Sequence, residues 1–297
     1  MNLEQGINCT DLFDGEACVF GVTKFSDLLP EEFAATRLGY KPAGGEKQAE
    51  VTVVAAEALP EAPGSKDWRR EGAVSEVKDQ GDCGSCWAFS VVEEVESQVF
   101  LAKGELPVLS TQQLISCDKG DDGCEGGDPE SAYRYIKKVD GLDSASDYPD
   151  RSHKTGETGD CTWSRQRIAK ISGFSYATKP CDHGRCRHQD EDALARVLAA
   201  RGPVSVCVNA GLGGWQSYKG GVFSRKCSGA SHALDHCVQL VGYNRHASKP
   251  YWILRNSWNT DWGMDGYMHL AMGRNLCGIA DEATIVQVES GEDLVVV

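Results

Sequence analysis

Thirteen cysteines in 297 residues constrain this chain more than any other feature. The number is high for a reducing compartment, and it is odd. Paired cysteines with one thiol left over point to an oxidising compartment and a free, reactive sulfur. The chain nonetheless starts at Met1 with no apolar signal region, so we expect the native N-terminus to precede this sequence. The length suits one large domain or two modest lobes. A content of 41% hydrophobic and 25% charged residues is ordinary for a globular chain. The net charge of −14 repels nucleic acid and anionic membranes, so neither is expected as a partner. The longest apolar candidate, residues 51–59, carries Glu57 and is far shorter than the roughly 20 residues of a membrane span.

One composition shift breaks the chain. Residues 41–63 mix Pro, Gly, Ala and Glu without a period and read as a linker. Ahead of it lies FSDLLPEEFAATRLGY. There Ser26 or Asp27 can cap a helix, Pro30 suits its first turn, and Glu31 and Glu32 favour its N-terminus. Beyond the linker, SCWAFSVVEEVESQVFLAKG is the clearest helix. Val91, Val95 and Val99 keep the i, i+4 spacing, Ala88 and Val92 lie on the adjoining stripe, and Gly104 suits the C-terminal cap. The later half alternates apolar runs with Gly-rich turns: PVSVCVNA, HCVQLVGYN, PYWILRNSW and GYMHLAM. These read as antiparallel strands.

Cys86 sits in or just before the first turn of that helix, where the helix field lowers a thiol pKa. A single cysteine is more often a buried hydrophobe or half of a disulfide, and a nucleophilic one needs a base. The surroundings of Cys86 point to such a base. CGSCW spans residues 83–87, LDHCVQLVGYN supplies His236 150 residues after Cys86, and RNSWNTDWG supplies Asn256. With DWRREGAV, LSTQQLISCD, GCEGG and NLCGIADEA in the same order, the chain from about residue 21 to 289 resembles the papain family of cysteine peptidases.

The resemblance implies an α+β, two-lobed papain-like fold. A helical lobe over about 62–170 carries Cys86, a β-barrel-like lobe over about 171–290 carries His236 and Asn256, and the active-site cleft lies between them. It implies peptide-bond hydrolysis through a thiol acyl-enzyme, without metal or organic cofactor. Cys86 is then the nucleophile, His236 its proton partner, and Asn256 the orienter of the imidazole. Gln80 and the Cys86 N–H form the oxyanion hole, and Trp258 covers the Asn256–His236 contact. His232 competes with His236 within the same segment, but LDH followed by an apolar strand favours His236. The other histidines, at 153, 183, 188, 246 and 269, are assigned to the surface.

The same resemblance places Gly126, Gly127, Asp128, Cys207, Asp235, Cys237 and Glu282 along the substrate cleft, with Glu282 at the base of the main specificity pocket. A second substrate residue of arginine, as well as leucine or phenylalanine, is the expectation. The alternative is that Asp128 and Glu282 face solvent. The implied disulfides are Cys83–Cys124, Cys117–Cys161 and Cys227–Cys277. Cys207 and Cys237 are either bonded to each other or two buried thiols. Cys181 and Cys186 close a small loop, or join His183 and His188 at a zinc site too tight for ordinary spacing. Cys9 and Cys18 are left without an assignment.

Residues 1–61 resemble the end of an inhibitory propeptide without its upstream helices, with the mature enzyme starting near Ala62. Implied partners are peptide and protein substrates, the chain's own propeptide and cystatin-like inhibitors, acting on a monomer. A lysosome-like or vacuolar compartment, or secretion, fits the cysteine use. The rival from another class is a catalytically silent papain-fold binding protein.

Overall fold

The computed structural model describes residues 8–9, 18–42, 51–162, 164, 166–181, 189–211, 214–225 and 227–288. In chain order its strands are β1 (Asn8–Cys9), β2 (Cys18–Phe20), β3 (Ser65–Asp67), β4 (Ile171–Tyr176), β5 (Val204–Val208), β6 (Tyr218–Gly220), β7 (Val222–Phe223), β8 (His236–Asn244), β9 (Tyr251–Arg255), β10 (Tyr267–Ala271) and β11 (Glu282–Val288). Its helices are α1 (Pro30–Arg37), α2 (Cys86–Lys103), α3 (Thr111–Cys117), α4 (Pro129–Val139), α5 (Ser152–Thr155) and α6 (Glu191–Arg201). The main sheet runs β4-β11-β5-β8-β9-β10-β7, with β3 also paired to β8. Its pairings are antiparallel except that of β7 with β10. The four apolar runs of the later half form β5, β8, β9 and β10.

Strand β8 is buried along almost its whole length because α2 and α6 both pack on it. A strand covered on both faces reads as a continuous apolar run rather than an alternating one. Two large apolar clusters and one small one result among the described residues. One large cluster gathers α2, α3 and α4 around Trp87, Leu114 and Tyr133. The other gathers the sheet and α6 around Trp215, Trp252 and Leu240. Trp68, early in the chain, packs with the sheet cluster because β3 pairs with β8. Val286 of β11 packs with the helical cluster.

Helix α2 ends on Gly104 in the left-handed region, as its sequence requires. Helix α1 differs from expectation at its start. Leu29, not Ser26 or Asp27, is the N-cap. Pro30 takes the first helical position, and Glu32 reaches back to accept the Leu29 N–H at 2.8 Å. The Ser26 hydroxyl is spent on an earlier turn, where it accepts the Thr23 N–H.

Disulfides join Cys83 to Cys124, Cys117 to Cys161 and Cys227 to Cys277. A fourth joins Cys207 to Cys237. These two stand directly opposite each other on β5 and β8, so the strand register settles the alternative. Cys181 is disulfide-bonded, while Cys186, His183 and His188 lie outside the described residues. Cys86 is the free cysteine among the described residues. His269 departs from a plain surface assignment. It is half-buried on β10 and stacks on Tyr251 at 4.0 Å.

Helix α2 also buries three glutamates. Glu93 pairs with Arg255 at 3.0 Å, with neither side chain reaching solvent. Glu96 accepts from Lys78, Ser75 and the Leu109 N–H. Glu94 accepts from Tyr133 and the Val286 N–H. Burial pushes Glu93 up to about 7 and Glu94 up to about 8. Burial, and then the neighbouring Asp118, push Asp121 up to about 8. A carboxyl raised in the fold keeps a proton that the unfolded chain, titrating near 4, releases. That stability is complete below about pH 4 and is lost as pH rises through the folded values. Buried His236 and His269, each held down to about 4, work the other way, but mainly below the ordinary histidine value of about 6.5. The melting temperature is therefore expected to fall between about pH 6 and about pH 8. Scanning calorimetry across that range checks this; a rise would show that these carboxyls do not keep their protons in the fold.

Candidate active site

The N-terminus of α2 meets the start of β8. Cys86 opens the helix, and His236 opens the strand. The Cys86 sulfur accepts the Gly39 N–H at 3.3 Å, and the Cys237 and Trp87 N–H groups also favour its charged form. Burial outweighs them and pushes the thiol up to about 12. Burial likewise holds His236 down to about 4, against the contrary pull of its Asn256 hydrogen bond. In this closed arrangement burial favours the neutral form of both groups.

Asn256 follows β9 and faces His236. His236 Nε2 and Asn256 Oδ1 lie 2.8 Å apart, and the same oxygen accepts the Ser257 N–H at 2.8 Å. The Trp258 ring lies 4.7 Å from the imidazole, tilted by 30°. It keeps water from the histidine–asparagine contact. Gln80 is anchored at its carbonyl end. Its Oε1 accepts from Ser257 Oγ at 2.6 Å and from Trp258 Nε1 at 3.1 Å. That fixes the amide so that Nε2 donates to the Cys83 carbonyl at 2.9 Å and to the Arg37 carbonyl at 3.1 Å. A positioned N–H donor there suits a developing oxyanion.

Residues 39–41 are bonded to Gly127 on one side and to Asp235 on the other. The Gly39 carbonyl accepts the Gly127 N–H at 2.9 Å, and the Lys41 N–H donates to the Gly127 carbonyl at 3.0 Å, in a parallel bridge. Gly126 makes no such pair. Its N–H and carbonyl bond within its own loop, to Gly123 and Asp122. The Asp235 carbonyl accepts the Tyr40 N–H at 3.0 Å, while the Asp235 carboxylate is held by the Ala210 and Gly211 N–H groups. Gly39 passes so near the loop that precedes α2 that a Cβ on it would stand 1.7 Å from the Gly84 carbonyl oxygen.

Tyr40 packs against Leu234 and the Cys207–Cys237 disulfide. Glu282 pairs opposite Cys207 on β11 and is buried. Burial first, and then the negative charges of Glu282, Asp128 and Glu130, push the Tyr40 phenol well above its ordinary value. Asp128 and Glu282 are thus buried near Tyr40 instead of facing solvent. Asp128 also has a second task, capping α4 by accepting the Glu130 N–H at 2.9 Å. Upstream, Phe25 and Phe33 stand edge-on to Trp258 at 5.4 and 5.2 Å.

The sequence pattern described as Papain family cysteine protease matches residues 62–287. The chain belongs to the papain family of cysteine proteases. It is 42% identical over 265 residues to mouse (Mus musculus) cathepsin F, covering 88% of this chain and 53% of that protein. It is 38% identical to cysteine proteinase 1 of Zea mays, covering 87% and 71%. It spans about half the length of the cathepsin F and a larger share of the maize protein. Among solved structures it resembles the digestive procathepsin L2 proteinase of Tenebrio molitor larval midgut, with 34% identity, a TM-score of 0.79, and 91% and 84% of the two chains covered. The proform of the ragweed pollen cysteine protease Amb a 11 matches at 30% identity and a TM-score of 0.80, covering 94% and 84%. Coverage that high exceeds what residues 62–297 alone supply, so the likeness to proforms takes in part of residues 1–61.

Within this papain-family fold, Cys86, His236, Asn256, Gln80 and Trp258 are gathered at one point. Gly127, Asp235, Cys207, Cys237 and Glu282 lie around Tyr40 beside it. Sequence reasoning missed Arg37, Gly39 and Tyr40 as residues of the site. The available signal was a glycine set between two bulky residues just before the linker. Ser257, which fixes the Gln80 amide, carried no signal of its own.

Proposed function

We propose that the protein is a cysteine endopeptidase whose own residues 37–41 block its cleft. The observation that carries this reading is the convergence of Cys86, His236, Asn256 and Gln80 beneath a segment of the same chain. With the cleft open, water reaches the sulfur and the imidazole, burial no longer penalises charge, and a proton passes from Cys86 to His236. The helix N-terminus and the N–H groups around the sulfur stabilise the thiolate.

The thiolate attacks the scissile carbonyl carbon. Gln80 Nε2 and the Cys86 N–H take up the charge that develops on oxygen. His236 returns its proton to the departing nitrogen as the C–N bond breaks, which leaves a thioester. Water, deprotonated by His236, then cleaves the thioester and frees the acid. Asn256 holds the ring in place throughout. Oxidised cysteine pairs fit an oxidising lysosome-like, vacuolar or extracellular site, and among the described residues no helix is long and apolar enough to cross a membrane.

The Tyr40 pocket supports dual specificity for the second residue before the scissile bond. Its walls are Leu234 and a disulfide, which suit leucine or phenylalanine, while Glu282 supplies a partner for a guanidinium. Charge-assisted hydrogen bonds are worth about 1.5–3 kcal/mol, or roughly 10- to 100-fold. The test uses peptides blocked at both ends, matched except for arginine or leucine at that position. Cleavage of both is expected, with the arginine-to-leucine ratio of kcat/KM falling at least 10-fold in Glu282→Ala. An unmoved ratio would mean that Glu282 does not read the substrate, and a need for a free terminus would exclude an endopeptidase.

A further inference from the structure

Arg37 and Tyr40 lie on either side of the Gly39 contact with Cys86, so the endopeptidase reading, which puts Tyr40 on the acyl side, puts Arg37 on the leaving-group side. Its carbonyl accepts Gln80 Nε2, so its backbone lies beside the oxyanion position. From there the chain passes Gly39 at the sulfur and reaches Tyr40 and Lys41 at Gly127 and the acyl-side pocket. The Arg37 side chain extends the other way and is only 12% exposed. Its Nη1 donates to the Gly81 carbonyl, and its Nη2 donates to Asp82 Oδ1 at 2.7 Å.

Both acceptors belong to the catalytic domain and directly follow Gln80. Their loop is held independently of Arg37. Gly81 has φ +57° and its N–H donates to Asp79 Oδ1 at 3.0 Å. A Cβ on Gly81 would stand 1.8 Å from the His153 carbonyl oxygen, so the close approach and the backbone angle both require glycine there. The Asp82 N–H bonds the same carbonyl at 3.4 Å. The Asp82 side chain is 67% exposed even with Arg37 seated. A carboxylate and a carbonyl spaced to take two nitrogens of one guanidinium fit the fork of arginine better than the point charge of lysine.

We propose that the Gly81 carbonyl and the Asp82 carboxylate form a subsite for arginine within the first two residues of the leaving half of a peptide substrate. The inference rests on the endopeptidase reading above. In the closed form Arg37 fills this subsite from the opposite chain direction. Phe25, whose ring lies 5.1 Å from the Arg37 guanidinium, leaves with the same segment and is no part of it.

The test uses the full chain activated at acid pH and peptides blocked at both ends, with a fixed acyl half. Arginine or alanine is placed in turn at each of the first three leaving-side positions. Arginine at the first or second position is expected to raise kcat/KM about 3- to 10-fold, the scale for an exposed ion pair with one added hydrogen bond. The gain should shrink in about 0.5 M salt, vanish in Asp82→Ala and return in part in Asp82→Glu. No gain in the wild type, or a gain intact in Asp82→Ala, would overturn the subsite and leave Gly81 and Asp82 as docking points for residues 37–41 alone. Failure to hydrolyse any of the peptides would instead overturn the peptidase reading, and this inference with it.

Discussion

Cys86→Ser is expected to abolish peptide hydrolysis, with a loss of at least about 10⁴-fold, while the fold persists. A serine hydroxyl is too weakly acidic to give its proton to His236, so no ion pair forms when the cleft opens. Folding should survive because Cys86 is in no disulfide and the smaller hydroxyl can still accept the Gly39 N–H. Circular dichroism and progress curves on the same preparation separate the two effects. Hydrolysis retained in this variant, with contaminating peptidases excluded, would remove Cys86 from the mechanism.

Gly39→Ala acts in the opposite direction. A methyl group at 39 meets the Gly84 backbone, which cannot yield without moving Cys86. The blocking segment must therefore lift. Overpacking of this kind costs about 1–3 kcal/mol, which we expect to raise the activity of the unprocessed chain about 5- to 150-fold. The remaining docking contacts, from Phe25 and Phe33 on Trp258 to the Gln216 bonds with the carbonyls of Phe25 and Leu28, set the upper limit. Initial rates of uncleaved wild type and variant, with chain integrity checked by mass, decide the matter. Equal rates would mean that residues 37–41 do not control the site.

The parts of this molecule that were legible in the sequence are those fixed by local chemistry. The apolar stripe and terminal glycine of α2, the four apolar runs of the sheet, and the motif spacing that joins Cys86 to His236 and Asn256 can be read from the chain. What escaped depends on partners distant in sequence. Glu93, Glu94 and Glu96 look like a solvated helix face until Arg255, Tyr133 and Lys78 are brought against them. The choice between a Cys207–Cys237 bond and two buried thiols needed a register that two apolar strands do not announce. Ser26 has the chemistry of a cap, yet Pro30 and Glu32 fix the helix start at Leu29. An inhibitory stretch was visible only as a resemblance of residues 1–61, and the placement of residues 37–41 was not, because it arises from contacts with Gln80, Gly84 and Gly127 far along the chain.

In the proposed mechanism Cys86 and His236 form an ion pair that the segment over them suppresses. The pH dependence of Cys86 alkylation by iodoacetamide, in uncleaved wild type and Gly39→Ala, tests it most directly. Slow labelling is expected of the wild type, whose sulfur is buried. In the variant rapid labelling is expected, persisting well below the ordinary thiol value of about 8.5. Slow labelling in both proteins, rising only near that ordinary value, would contradict it.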